Sequence, residues 1–153
     1  MYTVIEGGVT AAAGFETAST AAGIKYKNRK DMAMIYSEKP CKAAGTFTTN
    51  IVKAAPVKWD QKIVKESEYA QAVVINAGIA NACTGAEGMG YCAETAQAAS
   101  AVLNIPESAV LVASTGVIGM QLPMDKLKAG IAAMAPELSG TTESGTEAAK
   151  SIM

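Results

Sequence analysis

A hydroxyl stands beside an unobstructed glycine N–H in Ser114-Thr115-Gly116-Val117-Ile118-Gly119, directly after the apolar run Ala109 to Ala113. Acyl transfer needs two hydrogen-bond donors aimed at the oxygen that turns negative, and losing one typically costs ~2.7 to 4 kcal/mol of transition-state stabilisation. Thr115 and Gly116 are residue types that can supply such an oxyanion hole. An ordinary turn accounts for the same residues, because Thr and Gly are common where a strand ends. A second polar loop, Asn76-Ala77-Gly78-Ile79-Ala80-Asn81-Ala82-Cys83-Thr84-Gly85, leads into a helix whose free N–H groups could hold a carboxylate. Turn chemistry again suffices for it, since Asn and Gly tolerate left-handed backbone and Thr84 is placed to cap the helix.

Other chemistries are excluded by what the chain lacks. Histidine is absent, which removes Ser-His and Cys-His catalysis and any His metal site from this chain, so no metal is expected. Cys41, Cys83 and Cys92 are odd in number and fit no zinc spacing, and they read as buried small hydrophobes. Glu6, Glu16, Glu38, Glu66 and Glu68 show no spacing that pairs carboxylates on one helix face and are assigned to solvated surface. The net charge is -1, with thirteen Lys and Arg set among fourteen Asp and Glu rather than gathered in a stripe, so nucleic acid is not an expected partner. No apolar run approaches the ~20 residues of a membrane span, and the amino terminus has neither a basic nor an apolar leader region. A soluble, cytoplasmic protein is expected.

The elements that must position these loops follow from patterning. With 153 residues one domain is expected, with its core built from small and aliphatic side chains because only 5 % of residues are aromatic. Gly7-Gly8 and Thr10 to Gly23 read as loop. Met32 to Tyr36 reads as a strand closed by Pro40, and Ala44 to Thr49 as a second strand paired antiparallel with it. Pro56 to Val64 begins a short helix. Ala72 to Ile75 reads as a strand buried on both faces. Thr84 and Glu87 have capping-box spacing for a helix to Leu103. Ala109 to Ala113 is another buried strand, and Pro123 opens a helix whose stripe is Met124, Leu127, Ile131, Met134 and Leu138. Gly140 to Gly145 reads as loop and Thr146 to Met153 as a helical tail. Strands mixed with helices in this order imply an α/β layer protein.

Five motifs now stand in one order: Glu6-Gly7-Gly8-Val9-Thr10, Ala44-Gly45-Thr46-Phe47-Thr48-Thr49-Asn50, Asn76 to Gly85, Ser114 to Gly119, and Leu122-Pro123-Met124-Asp125-Lys126. Together they resemble the ornithine acetyltransferase (glutamate N-acetyltransferase) family over essentially the whole chain. The resemblance implies a layered α/β/β/α sandwich, shared with self-cleaving aminopeptidases and completed by a second chain. In that pattern a precursor cuts itself before a threonine, and the resulting α and β chains stay together, commonly as an α2β2 heterotetramer. The β chain's N-terminal threonine is the nucleophile, so none is expected here, and its own α-amine serves as base. The expected reaction moves acetyl from N-acetylornithine to glutamate in arginine biosynthesis, with no cofactor beyond acetyl-CoA as a further acetyl donor. Thr115, through its hydroxyl, and Gly116, through its N–H, are the implied oxyanion hole.

The resemblance also implies that residues 1-153 are a single N-terminal, α-chain domain lacking the segment up to the self-cleavage point. Ile79 departs from the pattern, since relatives usually carry Asn there. No substrate-binding residue is assigned. Two other readings remain at this stage: the α chain of a related self-cleaving aminopeptidase, which passes the acyl group to water, and an inactive interaction fragment.

Overall fold

The computed structural model describes residues 2–5 and 7–153; the assignment of Glu6 to the surface lies outside the described residues. Among the described residues, four strands form one sheet in the order β1-β2-β3-β4. They are β1 (Phe15–Thr20), β2 (Met32–Cys41), β3 (Ala70–Asn76) and β4 (Val110–Ser114). Only β3 and β4 are parallel, with Asn76 level with Ser114. A parallel neighbour requires a crossover. Here it is α2 (Glu87–Leu103), which returns the chain across the sheet. The other helices are α1 (Ala55–Glu66), α3 (Met124–Met134) and α4 (Thr142–Lys150).

Side chains alternate across a strand, so each strand serves two faces. On one face Ala18, Met34, Ala72, Val74 and Val110 pack against Ala96 and Ala99 of α2 and Leu127, Ile131 and Met134 of α3. The expected α3 stripe is core, as read, with Met124 and Leu138 partly buried at its ends. The opposite face carries Ile35, Val73, Ile75, Leu111 and Ala113, all only half-buried. The strand expected to be buried on both faces is therefore covered on one in this chain. Near the β1 edge of that second face, Thr17 Oγ1 meets Ser144 Oγ of α4 at 3.0 Å.

Several expectations are corrected. Phe15–Thr20 is a strand within the stretch read as loop; its apolar content is low, and full pairing with β2 plus Thr17 buried at 0 % exposure holds it. Residues 44–49 form no strand. Both flanks of β2 are already taken by β1 and β3, so β-forming residues there find no free edge. Helix α4 begins at Thr142 rather than in the tail, because Thr141 supplies an N-cap whose hydroxyl accepts the Ser144 N–H at 3.2 Å. The expectation of buried cysteines holds for Cys92; Cys41 is half-buried and Cys83 exposed.

The outer edge of β4 would present unpaired backbone groups. Helix α1 covers it with side chains. Trp59 Nε1 donates to the Val110 carbonyl at 3.0 Å, and the Val112 N–H donates to Asp60 Oδ1 at 2.9 Å. Burial pushes the Asp60 carboxyl up to about 6, against the lowering effect of the Val112 N–H. A folded pKa above the unfolded value means that the neutral acid favours folding. That stability is present below the unfolded pKa, near ~4, and is lost as pH rises through about 6. Asp60→Asn keeps an acceptor for Val112 without a charge. At pH 7.5 it should be more stable than the parent by about 1 to 2 kcal/mol, after discounting for solvent screening, and equal to it at pH 4. Urea unfolding at the two pH values checks this; a difference independent of pH contradicts it.

Candidate functional site

Because β3 and β4 are parallel, both deliver their following loops to one end of the sheet, and the turn from β1 to β2 reaches the same end. Ligands of α/β sheets gather at the carboxyl ends of parallel strands. Beyond the strands the two loops stay zipped. Thr115 N–H donates to the Asn76 carbonyl at 3.0 Å, Val117 N–H to Gly78 at 3.1 Å, Ala80 N–H to Val117 at 2.9 Å and Gly119 N–H to Ala82 at 2.9 Å. Ser114 Oγ accepts the Asn81 N–H at 2.8 Å.

That ladder skips one backbone donor. Thr115 and Val117 turn their N–H groups toward the Asn76–Gly78 backbone, so the intervening Gly116 N–H has no partner among the described residues, and neither has the Thr115 hydroxyl. Both residues are exposed. The two sequence candidates therefore sit side by side at the end of β4 as adjacent, uncommitted donors. This is the arrangement an oxyanion hole needs on the protein side.

The other candidate loop is different in kind. Asn76 Nδ2 donates to the Ile79 carbonyl at 2.8 Å. Asn81, 1 % exposed, donates to the Gly88 carbonyl at 2.8 Å and accepts the Thr84 hydroxyl at 2.7 Å. Thr84 thus serves the loop, and α2 starts at Glu87 with no side-chain cap, which corrects the capping-box reading. Turn chemistry accounts for these residues. Ile79, the departure from the family pattern, is 5 % exposed and packs in the core, so its side chain offers no ligand contact. Cys92 is no nucleophile: burial first, then the negative charge of Asp60, pushes its thiol up to about 12, although Asn81 donates to it.

A feature not singled out from the sequence is Asp31. It is 1 % exposed, and its carboxylate accepts the Ala22 N–H at 2.7 Å and the Ile24 N–H at 2.6 Å. Its own carbonyl accepts the Ala77 N–H at 2.8 Å. One residue therefore shapes the β1–β2 turn and fastens it to the loop after β3. A buried acid just before a strand of apolar residues was the available signal. The turn, Gly78, Thr115 and Gly116 together border a cleft of about 310 Å³, with Tyr26 and Arg29 on its rim. A larger cleft of about 550 Å³ lies at the opposite end of the sheet, where its Lys62, Glu66, Glu68 and Glu107 are ordinary exposed groups. Among the described residues no cluster of His, Cys, Asp or Glu could hold a metal, and no helix is long and apolar enough to cross a membrane.

Gly116 has φ +127°, and a Cβ there would lie 2.5 Å from the Gly78 carbonyl oxygen and 2.6 Å from the Ile79 nitrogen. Gly119 also has positive φ, +82°, but open space around it. Gly116→Ala should therefore cost about 3 to 5 kcal/mol, from strain and overpacking combined, and Gly119→Ala only ~1 kcal/mol. In Tm this is roughly 10 °C or more against about 3 °C. Equal losses in a thermal melt would contradict the close approach of the two loops.

The chain is similar to known proteins along most of its length. The ArgJ family model matches residues 16–153. The arginine biosynthesis bifunctional protein ArgJ of Symbiobacterium thermophilum is 50% identical over 151 residues, covering 97% of this chain and 37% of that protein. Its counterpart from Gloeobacter violaceus is 46% identical over 145 residues, covering 95% of this chain and 35% of that protein. This chain spans a little over a third of the length of these relatives. Among solved structures, ornithine acetyltransferase from Mycobacterium tuberculosis, complexed with ornithine, superposes with a TM-score of 0.92 at 46% identity, covering 96% of this chain and 79% of that one. The Bacillus halodurans ArgJ protein gives 0.89 at 38% identity, covering 95% and 75%.

Proposed function

This chain belongs to the ArgJ family, and from that premise we propose that it is the α-chain part of an acyltransferase that moves acetyl from N-acetylornithine to glutamate. The observation that carries the reading is the pair of uncommitted donors, Thr115 Oγ1 and Gly116 N–H, side by side at the end of β4. The nucleophile is the N-terminal threonine of a β chain released from the same precursor.

The chemistry runs in two halves. The threonine hydroxyl attacks the acetyl carbonyl carbon of N-acetylornithine while its proton passes to the threonine α-amine, whose ordinary pKa near ~7.7 to 8.0 suits a base at neutral pH. Negative charge develops on the acetyl oxygen and is met by Thr115 and Gly116. Collapse breaks the C–N bond, the amine takes the proton and leaves as ornithine, and an acetyl ester remains on the threonine. The glutamate amine then attacks the ester through the same geometry and leaves as N-acetylglutamate. Acetyl-CoA can enter the first half in place of N-acetylornithine, without becoming a bound cofactor. Self-cleavage of the precursor passes through a comparable tetrahedral centre, so the same pair assists it.

The half-exposed apolar face of Ile35, Val73, Leu111 and Ala113 is where the second sheet of an α/β/β/α sandwich stacks, brought by the β chain in an α2β2 heterotetramer. The enzyme works in the cytoplasm. Transfer to an amino acid, rather than to water as in a self-cleaving aminopeptidase, is favoured by the identity to arginine biosynthesis proteins.

In the precursor, Thr115→Ala should lower acetyl transfer by about 10²- to 10³-fold and slow self-cleavage, with Thr115→Ser retaining most of both. Because Thr115 is exposed and its hydroxyl makes no hydrogen bond among the described residues, the melting temperature should not move. Timed gel analysis of cleavage and an assay of N-acetylglutamate formation check this. Unchanged rates of both processes would remove the oxyanion role.

A further inference from the structure

The motif Leu122-Pro123-Met124-Asp125-Lys126 runs into the first turn of α3 and supplies no group to the oxyanion pair, yet its last side chain reaches the β1–β2 turn. Lys126 Nζ donates to the Gly23 carbonyl at 2.5 Å. The residues on either side of Gly23 are held by Asp31, whose carboxylate takes the Ala22 and Ile24 N–H groups. Three consecutive residues, with Gly23 at φ +70°, thus each commit a backbone polar group to one of two charged side chains. A carboxylate is an acceptor on both oxygens, so it can take two N–H groups at once. At 1 % exposure Asp31 would be costly without them.

That turn is stacked on the backbone beneath the oxyanion pair. A Cβ on Gly78 would stand 3.0 Å from the Lys25 Cβ and 3.7 Å from the Lys25 nitrogen, and a Cβ on Gly116 would stand 2.5 Å from the Gly78 carbonyl oxygen. Gly78 is therefore packed against the turn and against Gly116. Hydrogen bonds follow the same route, since the Asp31 carbonyl accepts the Ala77 N–H at 2.8 Å and the Gly78 carbonyl accepts the Val117 N–H at 3.1 Å. Asp31 grips the residue before Gly78, and Gly78 grips the residue after Gly116.

Resting on the acyltransferase reading, we propose that Asp31, seconded by Lys126, is a positioning residue of the reaction: it fixes the Ala77–Gly78 backbone on which Gly116 lies, and so aims the Gly116 N–H at the developing oxyanion. Both side chains act through Gly116, and neither needs to touch substrate. An oxyanion donor is effective at about 2.7 to 3.1 Å from the charged oxygen, and a misplacement of about 1 Å can cost about 10²-fold in rate. The loss falls on the transition state. It should therefore appear in kcat and leave KM alone.

The test is steady-state kinetics on the complete, self-cleaved enzyme, with kcat expressed per acetylatable threonine counted by intact mass. Asp31→Asn turns an NH2 group toward one of the two backbone N–H groups. It should lower kcat per site by about 10- to 100-fold, with KM for N-acetylornithine and for glutamate within about threefold of the parent, and should slow self-cleavage of the precursor as well. Lys126→Met removes an exposed side chain that makes no ion pair among the described residues, so folding is not at stake. Its kcat should fall by about 3- to 10-fold, and Lys126→Arg should restore it. A merely structural Asp31 would reduce the number of active sites and the melting temperature but leave kcat per site unchanged, and that result would overturn the proposal. A rise in KM at constant kcat would do the same. Should Asp31→Asn not fold, the same two readings of Lys126→Met decide. Absence of acetyl transfer in the parent enzyme would instead strike the acyltransferase reading itself, so the two failures are distinguishable.

Discussion

The close approach of two backbones, Gly116 against Gly78, is the constraint on which the rest of this end of the molecule depends. Parallel pairing of β3 and β4 brings the two loops out side by side, and the absence of a Cβ at Gly116 lets the pairing continue past the strands. The ladder then commits every second donor of the β4 loop inward. What is left over, the Gly116 N–H with the Thr115 hydroxyl beside it, faces outward because its neighbours do not. A pair of free donors is here a by-product of regular hydrogen bonding around one glycine. Asp31 extends the same logic by tying the β1–β2 turn to Ala77, so that three separate loops are joined by hydrogen bonds.

The two unfinished surfaces of the sheet are handled differently. At the β4 edge the chain supplies its own closure, with Trp59 and Asp60 taking the places of a fifth strand's backbone groups. The burial this requires of Asp60 is a cost accepted for an edge that cannot pair further. On the second face, among the described residues, no such closure exists beyond α4, and a row of half-buried aliphatic side chains remains. A self-capped edge next to an apolar open face fits a chain whose sheet stacks on another rather than extending sideways.

Much of this was legible in the sequence where apolar periodicity is strong. The β3 and β4 runs, the α3 stripe of Leu127, Ile131 and Met134, and α1 behind Pro56 all appear close to where patterning places them. Failures occur where tertiary pairing overrides propensity. Phe15–Thr20 has too few apolar residues to announce a strand and becomes one by pairing with β2, whereas residues 44–49 have the right residues and no vacant partner. Thr84 has capping spacing, yet its hydroxyl is drawn to Asn81. The Thr115-Gly116 motif is visible in the sequence, but the freedom of the Thr115 hydroxyl and the Gly116 N–H from partners among the described residues is a property of register, which no single sequence displays. Asp31 escaped notice because a lone acid carries no signal until its N–H partners are placed.

The central claim is that this chain holds the oxyanion half of an acyl-transfer site whose nucleophile lies on another segment. Its most direct test is intact-mass analysis of the complete protein after brief incubation with N-acetylornithine in the absence of glutamate. The account predicts the mass of one acetyl group on a segment that begins with threonine, none on the segment containing Thr115, and loss of the label on adding glutamate. An acetyl group on the Thr115 segment, or none anywhere while N-acetylglutamate still forms, would contradict it.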